Sequence, residues 1–493
     1  MSNLAVLPII VPLLAGIIAA FIPRKTTVVR IFSRVMTIVN LAIAMYVGFE
    51  VYQNGSIILE TGGWKAPFGI VIVADMLSVL LVITTNIIGV ACVFFASRSL
   101  TDKQESFYFY TFFFLLITGV SGAFLTGDLF NLFVFFEVLL MASYGLLVLG
   151  GNKVQFRESI KYILINLFSS MLFVTVVAFL YSVVGTVNMA QIAQRVQEVE
   201  QQGILTTIGI LLFFVFATKA AIFPLYYWLP KSYIVPNPVV SALFGALLTK
   251  VGIYSIIRVF TLIFIHDTAM THQLFIWLAA FTMIFGVIGA LSTNNVKLIV
   301  VYNIIPAIGF MLMGIGLYSE TAVAGSIYYL LHDMVVKGAL FLLVGAIVAL
   351  AGTSDLRKMN GLIHHYPVIG WMFLISTVAL AGIPPFSGFV GKLLLLQGGL
   401  EQGNIAIVIV GLVTSLLILF SMIRIFIRGF WGEKDESFTP DKKKARAFAW
   451  PIGCLVAITI FLGVGAEFVY PIVADISTYL LDPSLYIDSV LKE

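Results

Sequence analysis

The sequence predicts an all-α polytopic membrane protein with about 14 transmembrane helices. Three observations carry this. Of the 493 residues, 60% are hydrophobic and only 11% charged, with a mean hydropathy of +1.07; a soluble domain of that balance would have too little polar surface for water. The apolar residues form repeated runs of about 20, the length that crosses a ~30 Å hydrocarbon core as a helix. The basic residues gather in alternate links between those runs.

In chain order the expected spans are 4–22, 31–49, 70–96, 108–126, 129–149, 159–185, 205–229, 237–261, 273–292, 298–317, 322–351, 367–400, 404–428 and 449–472. Twenty of the 28 Lys and Arg fall in one set of links, from Arg24, Lys25, Arg30 and Arg34 to the last link with Arg424, Arg428 and Lys434–Arg446. The opposite side has Lys65, Arg195, Arg258 and Lys492. The bias places both termini outside, which agrees with an even number of spans. The polar segment 187–203 reads as a surface helix and 434–446 as a solvated cytoplasmic loop able to touch anionic lipid. The tail after Tyr470 reads as short and polar, with no helix long enough to brace a neighbour. The N-terminus opens into an apolar run without a basic segment, so no cleaved leader is expected. Cys92 and Cys454 lie in apolar runs and fit no metal or disulfide spacing. The net charge of +4 gives no case for nucleic acid.

The spans 205–229 and 367–400 hold internal prolines and are expected to be discontinuous. The seventh contains Lys219 and Pro224, and Pro230, Pro236 and Pro238 lead into the eighth, which carries Lys250. The twelfth contains Pro384, Pro385 and Lys392. A broken membrane helix exposes backbone groups that only protein or water can satisfy. The two breaks lie five spans apart on helices of opposite direction, as two inverted five-helix units, spans 4–8 and 9–13, would produce. Such matched breaks point to a transport site. The expected organisation is 1–107 for the first three helices, 108–262 and 263–430 for the two units, and 431–493 for the loop, helix 14 and external tail.

The candidate functional residues are the ionisable groups inside the spans: Glu137, Lys219, Lys250, His332, Asp333, Lys337 and Lys392. A lysine at the centre of a membrane helix costs about 2.5–3.5 kcal/mol on insertion scales. Neither Glu137 nor Lys219 has an opposite charge within four positions, which points to a pair across helices. At ~4 Å and an effective dielectric of ~20 such a pair is worth about 4 kcal/mol. Making and breaking it would switch the lysine's protonation; a purely structural pair is the alternative. Lys250 has no local partner, and a desolvated amine there can exchange protons with water chains, with snorkelling as the alternative. Asp333 and Lys337 stand at i,i+4 with the acid first, the favourable order for a helix pair. His332 is five residues before Lys337, so the two point about 140° apart; proton relay or a hydrogen-bonded core position both fit it. Lys392 ends the series, with outward snorkelling as its alternative. Asp75 and Asp128, at outer span ends, suit helix N-termini and read as mainly structural. Asn131, Ser169, Ser170, Thr218, Thr249, Asn303 and Ser387 could hold water between the charges or simply bond back to their own helices.

The segments FFEVLLMASYGLL, ATKAAIFPLYYWLPKSY, NPVVSALFGALLTKVGIYSIIRVF, HDMVVKGALFLLVGAI and AGIPPFSGFVGK resemble the antiporter-like membrane subunits shared by respiratory complex I and the Mrp multi-subunit sodium/proton antiporters. The likeness covers spans three to thirteen, and the length and the HDMVVK wording are most similar to the D-type members of the Mrp group. The resemblance implies fourteen helices in two inverted repeats around a hydrophilic axis. It also implies Glu137–Lys219 as a switch pair, Lys250 and Lys337 as central relay groups, and Lys392 as the exit lysine. Many relatives place the histidine four residues before the lysine; here five separate them and Asp333 intervenes.

The expectation is therefore a proton-conducting subunit of a cation (Na⁺)/proton antiporter in the cell membrane, driven by proton motive force and working with other subunits. The alternative is a proton-pumping subunit of a redox complex. An enzyme with its own redox site finds no haem, flavin, iron–sulfur or metal ligand set in the sequence, so no cofactor is expected. A passive scaffold leaves the buried lysines unexplained. No cluster of carboxylates and carbonyls reads as a sodium cage, so the sequence does not show where Na⁺ crosses, and a partner subunit is one place for its site.

Overall fold

The computed structural model describes residues 2–22, 26–433 and 440–491. Arg24, Lys25, Lys434 and Lys492, counted in the charge distribution above, lie outside these, as does the first part of the basic loop. Among the described residues twelve helices are long and apolar enough to cross a membrane, and two shorter apolar helices, Phe109–Leu125 and Pro367–Ala381, fall at the fourth and twelfth expected spans. Every expected stretch thus holds a helix.

Burial grades from the centre outwards. Residues 239–262 of span eight are buried at every position, and spans ten (Val296–Leu317) and eleven (Glu320–Ala351) nearly so, whereas Thr27–Asn54 is largely open. Small residues set the central spacing. A Cβ at Gly252 would lie 2.7 Å from the backbone nitrogen of Ala220, so the helix bearing Lys250 abuts the end of the one bearing Lys219. A Cβ at Gly391 would stand 2.9 Å from Cβ of Tyr329, which brings the helix of Lys392 against span eleven. In a bilayer, such close approach supplies the dispersion contacts that hold helices together.

Spans seven and twelve are broken, as expected. Gln202–Ala220 ends at Ala221 in left-handed backbone (φ 64°), and the chain continues through a 3₁₀ turn, Leu225–Trp228, into Leu229–Ile234. Pro367–Ala381 ends at Gly382 (φ 86°), and Ser387–Glu401 follows. Two further irregularities were not expected: in span eight a wide π turn, Phe244–Leu248, lies between Pro238–Leu243 and Thr249–Leu262, and Asn303 separates Val296–Tyr302 from Ile304–Leu317 in span ten.

Several boundaries need correction. Span three does not start at 70: Val71–Ala74 is a strand, antiparallel to Ile57–Glu60 with Ile57 opposite Ala74, and the helix is Met76–Ser99. The β-branched run Val71-Ile72-Val73 favours the pleated form, and Asp75 then caps the helix by accepting from Ser78 N at 2.9 Å. Span six starts at Lys153 rather than 159, so Lys153, Arg157 and Lys161 ride on its first turns, with Glu158 at 3.0 Å from Arg157 and 3.2 Å from Lys161. Arg258 is no external-loop residue: it is buried within Thr249–Leu262 and ion-paired with buried Asp75, its guanidinium 5.0 Å from the Tyr486 ring centre.

The C-terminal tail also departs from expectation. Span fourteen is Lys442–Val464, and two more helices follow, Ala466–Leu481 and Pro483–Leu491. Val473, Ile476 and Leu480, then Tyr486, Ile487 and Val490, are buried at helical spacing among polar residues that hide the pattern. The tail does brace its neighbours. Ser477 donates to the Glu320 carbonyl and Thr478 to the Glu320 carboxylate, both at 2.7 Å, and Pro483–Leu491 packs on Met189–Val196, the surface helix expected in 187–203.

Candidate functional site

The centre of the site is a carboxylate between two amines. Asp333 Oδ2 is 2.8 Å from Lys250 Nζ, and Asp333 Oδ1 is 3.8 Å from Lys337 Nζ; all three side chains are 0% exposed. The i,i+4 pair seen in the sequence is therefore the longer of two contacts. Lys250, which lacks a partner on its own helix, finds one on span eleven. A buried pair left with one member missing costs roughly 3–5 kcal/mol, so each of these charges depends on the others.

Backbone carbonyls at helix irregularities accept from three of the lysines. A π turn misaligns the backbone ladder, and Gly245 O, within the turn, accepts from Lys250 Nζ at 2.6 Å. In span ten Pro306 has no N–H for the carbonyl of Tyr302 and crowds it, which kinks the helix at that turn. There Asn303 O accepts from Lys337 Nζ at 2.8 Å. In span twelve the last carbonyls of Pro367–Ala381 have no partner in their own helix. Lys392 Nζ reaches back to Leu380 O at 3.1 Å and Ala381 O at 2.9 Å, with the rings of Phe310 and Tyr329 at 4.7 and 5.8 Å.

Lys219 is held differently. It is the penultimate residue of Gln202–Ala220, donates to Ser170 Oγ at 3.1 Å and lies 5.2 Å from the Phe136 ring centre. The neighbouring carbonyl, Thr218 O, accepts from the Ala221 N–H at 3.3 Å and from the Trp228 indole at 3.1 Å. Glu137 and Lys219 are not in ion-pair contact in this structure. Glu137 is half-buried, and its Oε1 has no hydrogen-bond partner among the described residues. Phe130, Val134 and Met141 of the same helix are exposed, so Glu137 borders the outward face of span five.

His332 bonds Ser387 Oγ through Nδ1 at 2.6 Å, and Nε2 has no partner among the described residues. Ser387 opens the second half of span twelve. The structure thus couples His332 to the span-twelve break; no hydrogen bond joins it to Lys337 among the described residues, as the angular offset predicts. Asp75 and Asp128 act as helix caps, with Asp128 accepting from Asn131 N at 2.7 Å. Of the polar residues expected to hold water, Ser170, Thr249, Asn303 and Ser387 touch the ionisable groups, while Thr218 bonds back to Phe214 O at 2.8 Å. The Asn303 kink was missed although Pro306 signals it; the π turn has no comparable signal in the sequence.

Buried lysines and broken helices in a many-spanned helical protein are features that mark ion-transporting membrane proteins as a class. Residues 126–418 match the family described as NADH:quinone oxidoreductase/Mrp antiporter, TM. The chain is 52% identical over 493 residues, covering 100% of both sequences, to the D-type subunit of the Na(+)/H(+) antiporter of Bacillus subtilis (strain 168). It is similar to a chain in the structure of the Mrp complex from Dietzia sp. DQ12-45-1b, with a TM-score of 0.91, 31% identity and 100% of each chain covered. It is also similar to a chain of the archaeal membrane-bound sulfane sulfur reductase, with a TM-score of 0.91, 25% identity and 99% of each chain covered. The chain is a member of the NADH:quinone oxidoreductase/Mrp antiporter membrane-subunit family.

Proposed function

We propose that the chain is the proton-translocating subunit of a multi-subunit monovalent cation (Na⁺)/proton antiporter in the cell membrane. Spans 4–8 and 9–13 act as two inverted units, and both termini face outside. The observation that carries the reading is Asp333 between Lys250 and Lys337, with all three fully buried. A charge group that costly to bury has use where its protons move. Protons pass along the order Glu137, Lys219, Lys250, Asp333, Lys337, Lys392, with His332 beside the last step and water between stations. Glu137 and Lys219 form the switch, meeting in one state and parted in the state described here. The position of Glu137 beside the outward apolar face of span five fits a site completed by a neighbouring subunit. The full-length likeness to a named antiporter subunit favours this reading over a redox-driven pump, for which the likeness to a respiratory complex is the supporting observation.

The test is Asp333→Asn in the assembled complex, assayed for Na⁺-driven proton movement in vesicles. The expected result is a loss of more than roughly 100-fold, since both lysines lose the acid beside them. Full exchange across the pH range would refute the central role of this group.

A further inference from the structure

Lys337 has two acceptors at different distances. It is 2.8 Å from Asn303 O and 3.8 Å from Asp333 Oδ1. The nearer one is a backbone carbonyl, and its place is set by the kink of span ten. Side chains fasten that kink. Asn303 Nδ2 donates to Ile299 O at 2.8 Å, one turn back, and to Ser421 Oγ at 3.0 Å on span thirteen. Ser421 in turn donates to Ile418 O at 2.8 Å. Asn303, Ser421 and Lys337 are each 0% exposed, so these bonds do not compete with bulk water. Asn303 is therefore tied on two sides, and its carbonyl is presented to span eleven by a contact that begins on span thirteen.

We infer that Asn303 and Ser421 are positioning residues for Lys337: they fix the kinked backbone of span ten so that the Asn303 carbonyl holds the Lys337 ammonium and leaves Asp333 to Lys250. The inference rests on the relay proposed above. It assigns two uncharged residues, from spans ten and thirteen, to the setting of a proton carrier on span eleven. With the carbonyl in place, Lys337 waits beside Asp333 without displacing Lys250. Without it, Lys337 turns to Asp333 and both amines compete for one carboxylate. The charged and titratable groups around Lys337 are Asp333 and His332 on its own helix, Lys250 from span eight and Lys392 from span twelve. Asn303 and Ser421 carry no charge, so an altered pH response in their variants reports on that group and not on a lost titrating residue.

The experiment uses the complex with all its subunits, in inside-out vesicles. Na⁺-driven proton exchange is measured across pH and normalised to the amount of assembled complex. Lys337→Ala tests the relay itself and is expected to abolish exchange. Ser421→Ala and Asn303→Ala are expected to slow exchange roughly tenfold, the effect of losing one buried hydrogen bond to the carrier's support, and to displace the pH profile from that of the wild type. Ser421→Thr keeps the hydroxyl and is expected to stay within roughly twofold of the wild type. If Lys337→Ala is inactive while both alanine variants keep the wild-type rate and profile, the positioning role is overturned and the relay stands. Wild-type exchange by Lys337→Ala overturns the relay. A slow Ser421→Ala with an unchanged pH profile, or a Ser421→Thr as slow as Ser421→Ala, shows a packing role alone and also overturns the inference. Should Asn303→Ala fail to assemble, the two Ser421 variants decide.

Discussion

The two broken spans use the same components in opposite order. In span seven the lysine precedes the break; in span twelve it follows. A helix that stops leaves its last carbonyls without partners, and only a residue beyond the break can fold back onto them. Lys392 does so and gains two backbone acceptors and two aromatic rings. Lys219 stands on the helix that ends, the neighbouring Thr218 carbonyl goes to Trp228, and its only hydrogen bond among the described residues is to Ser170. One side-chain hydroxyl is a looser hold than two fixed carbonyls. The lysine with fewer acceptors thus lies at the Glu137 end and the one with more at the other end. That agrees with a switch at the first break and a fixed terminal station at the second.

Substitutions can break or sharpen this contrast. The largest effect should come from Lys219→Ala and Lys392→Ala, each expected to bring exchange by the assembled complex down to background, more than roughly 100-fold. Normal exchange in either removes that end from the path. Ser170→Ala should come next, at roughly tenfold, because a hydrogen bond to a charged group is worth about 1.5–3 kcal/mol. A wild-type rate in that variant would mean that Lys219 is not held as described. Lys250→Ala should be milder and leave a measurable fraction, since Asp333 keeps Lys337 within 3.8 Å as a counter-charge. Comparing its rate with that of Asp333→Asn ranks the two directly. The smallest change belongs to Phe310→Ala, about threefold, the size of one cation–π contact of about 0.5–1 kcal/mol; Lys392 keeps both carbonyls there. A larger loss than in Ser170→Ala would reverse the contrast between the two ends.

Most of the charged residues were legible because the bilayer makes them expensive. Lys219, Lys250, Lys337 and Lys392 stand out in apolar runs without any knowledge of packing. What surrounds them was far less legible. The pairing of Lys250 with Asp333 joins residues 83 positions apart, and no periodicity reports on it. Asp333–Lys337 was legible because helix geometry fixes i,i+4 neighbours, yet at 3.8 Å it is the longer of the two contacts that Asp333 makes. The partner of His332 proved to be Ser387, a residue of another broken span. The C-terminal helices were overlooked because alternating Asp, Ser and Thr dilute their apolar stripe below the level that marks a membrane span.

By itself, the sequence determined that this chain crosses a membrane many times, where two of its spans break, and which ionisable groups lie inside. Those facts follow from local rules: apolar run length, the missing N–H of proline, and the cost of charge in hydrocarbon. The tertiary structure decided which acid serves which amine, which carbonyls replace water, and that Glu137 and Lys219 stand apart in this state. Each of those depends on distances between helices far apart in the chain, set by small-residue contacts such as Gly252 against Ala220 and Gly391 against Tyr329. Local propensity has no access to such distances.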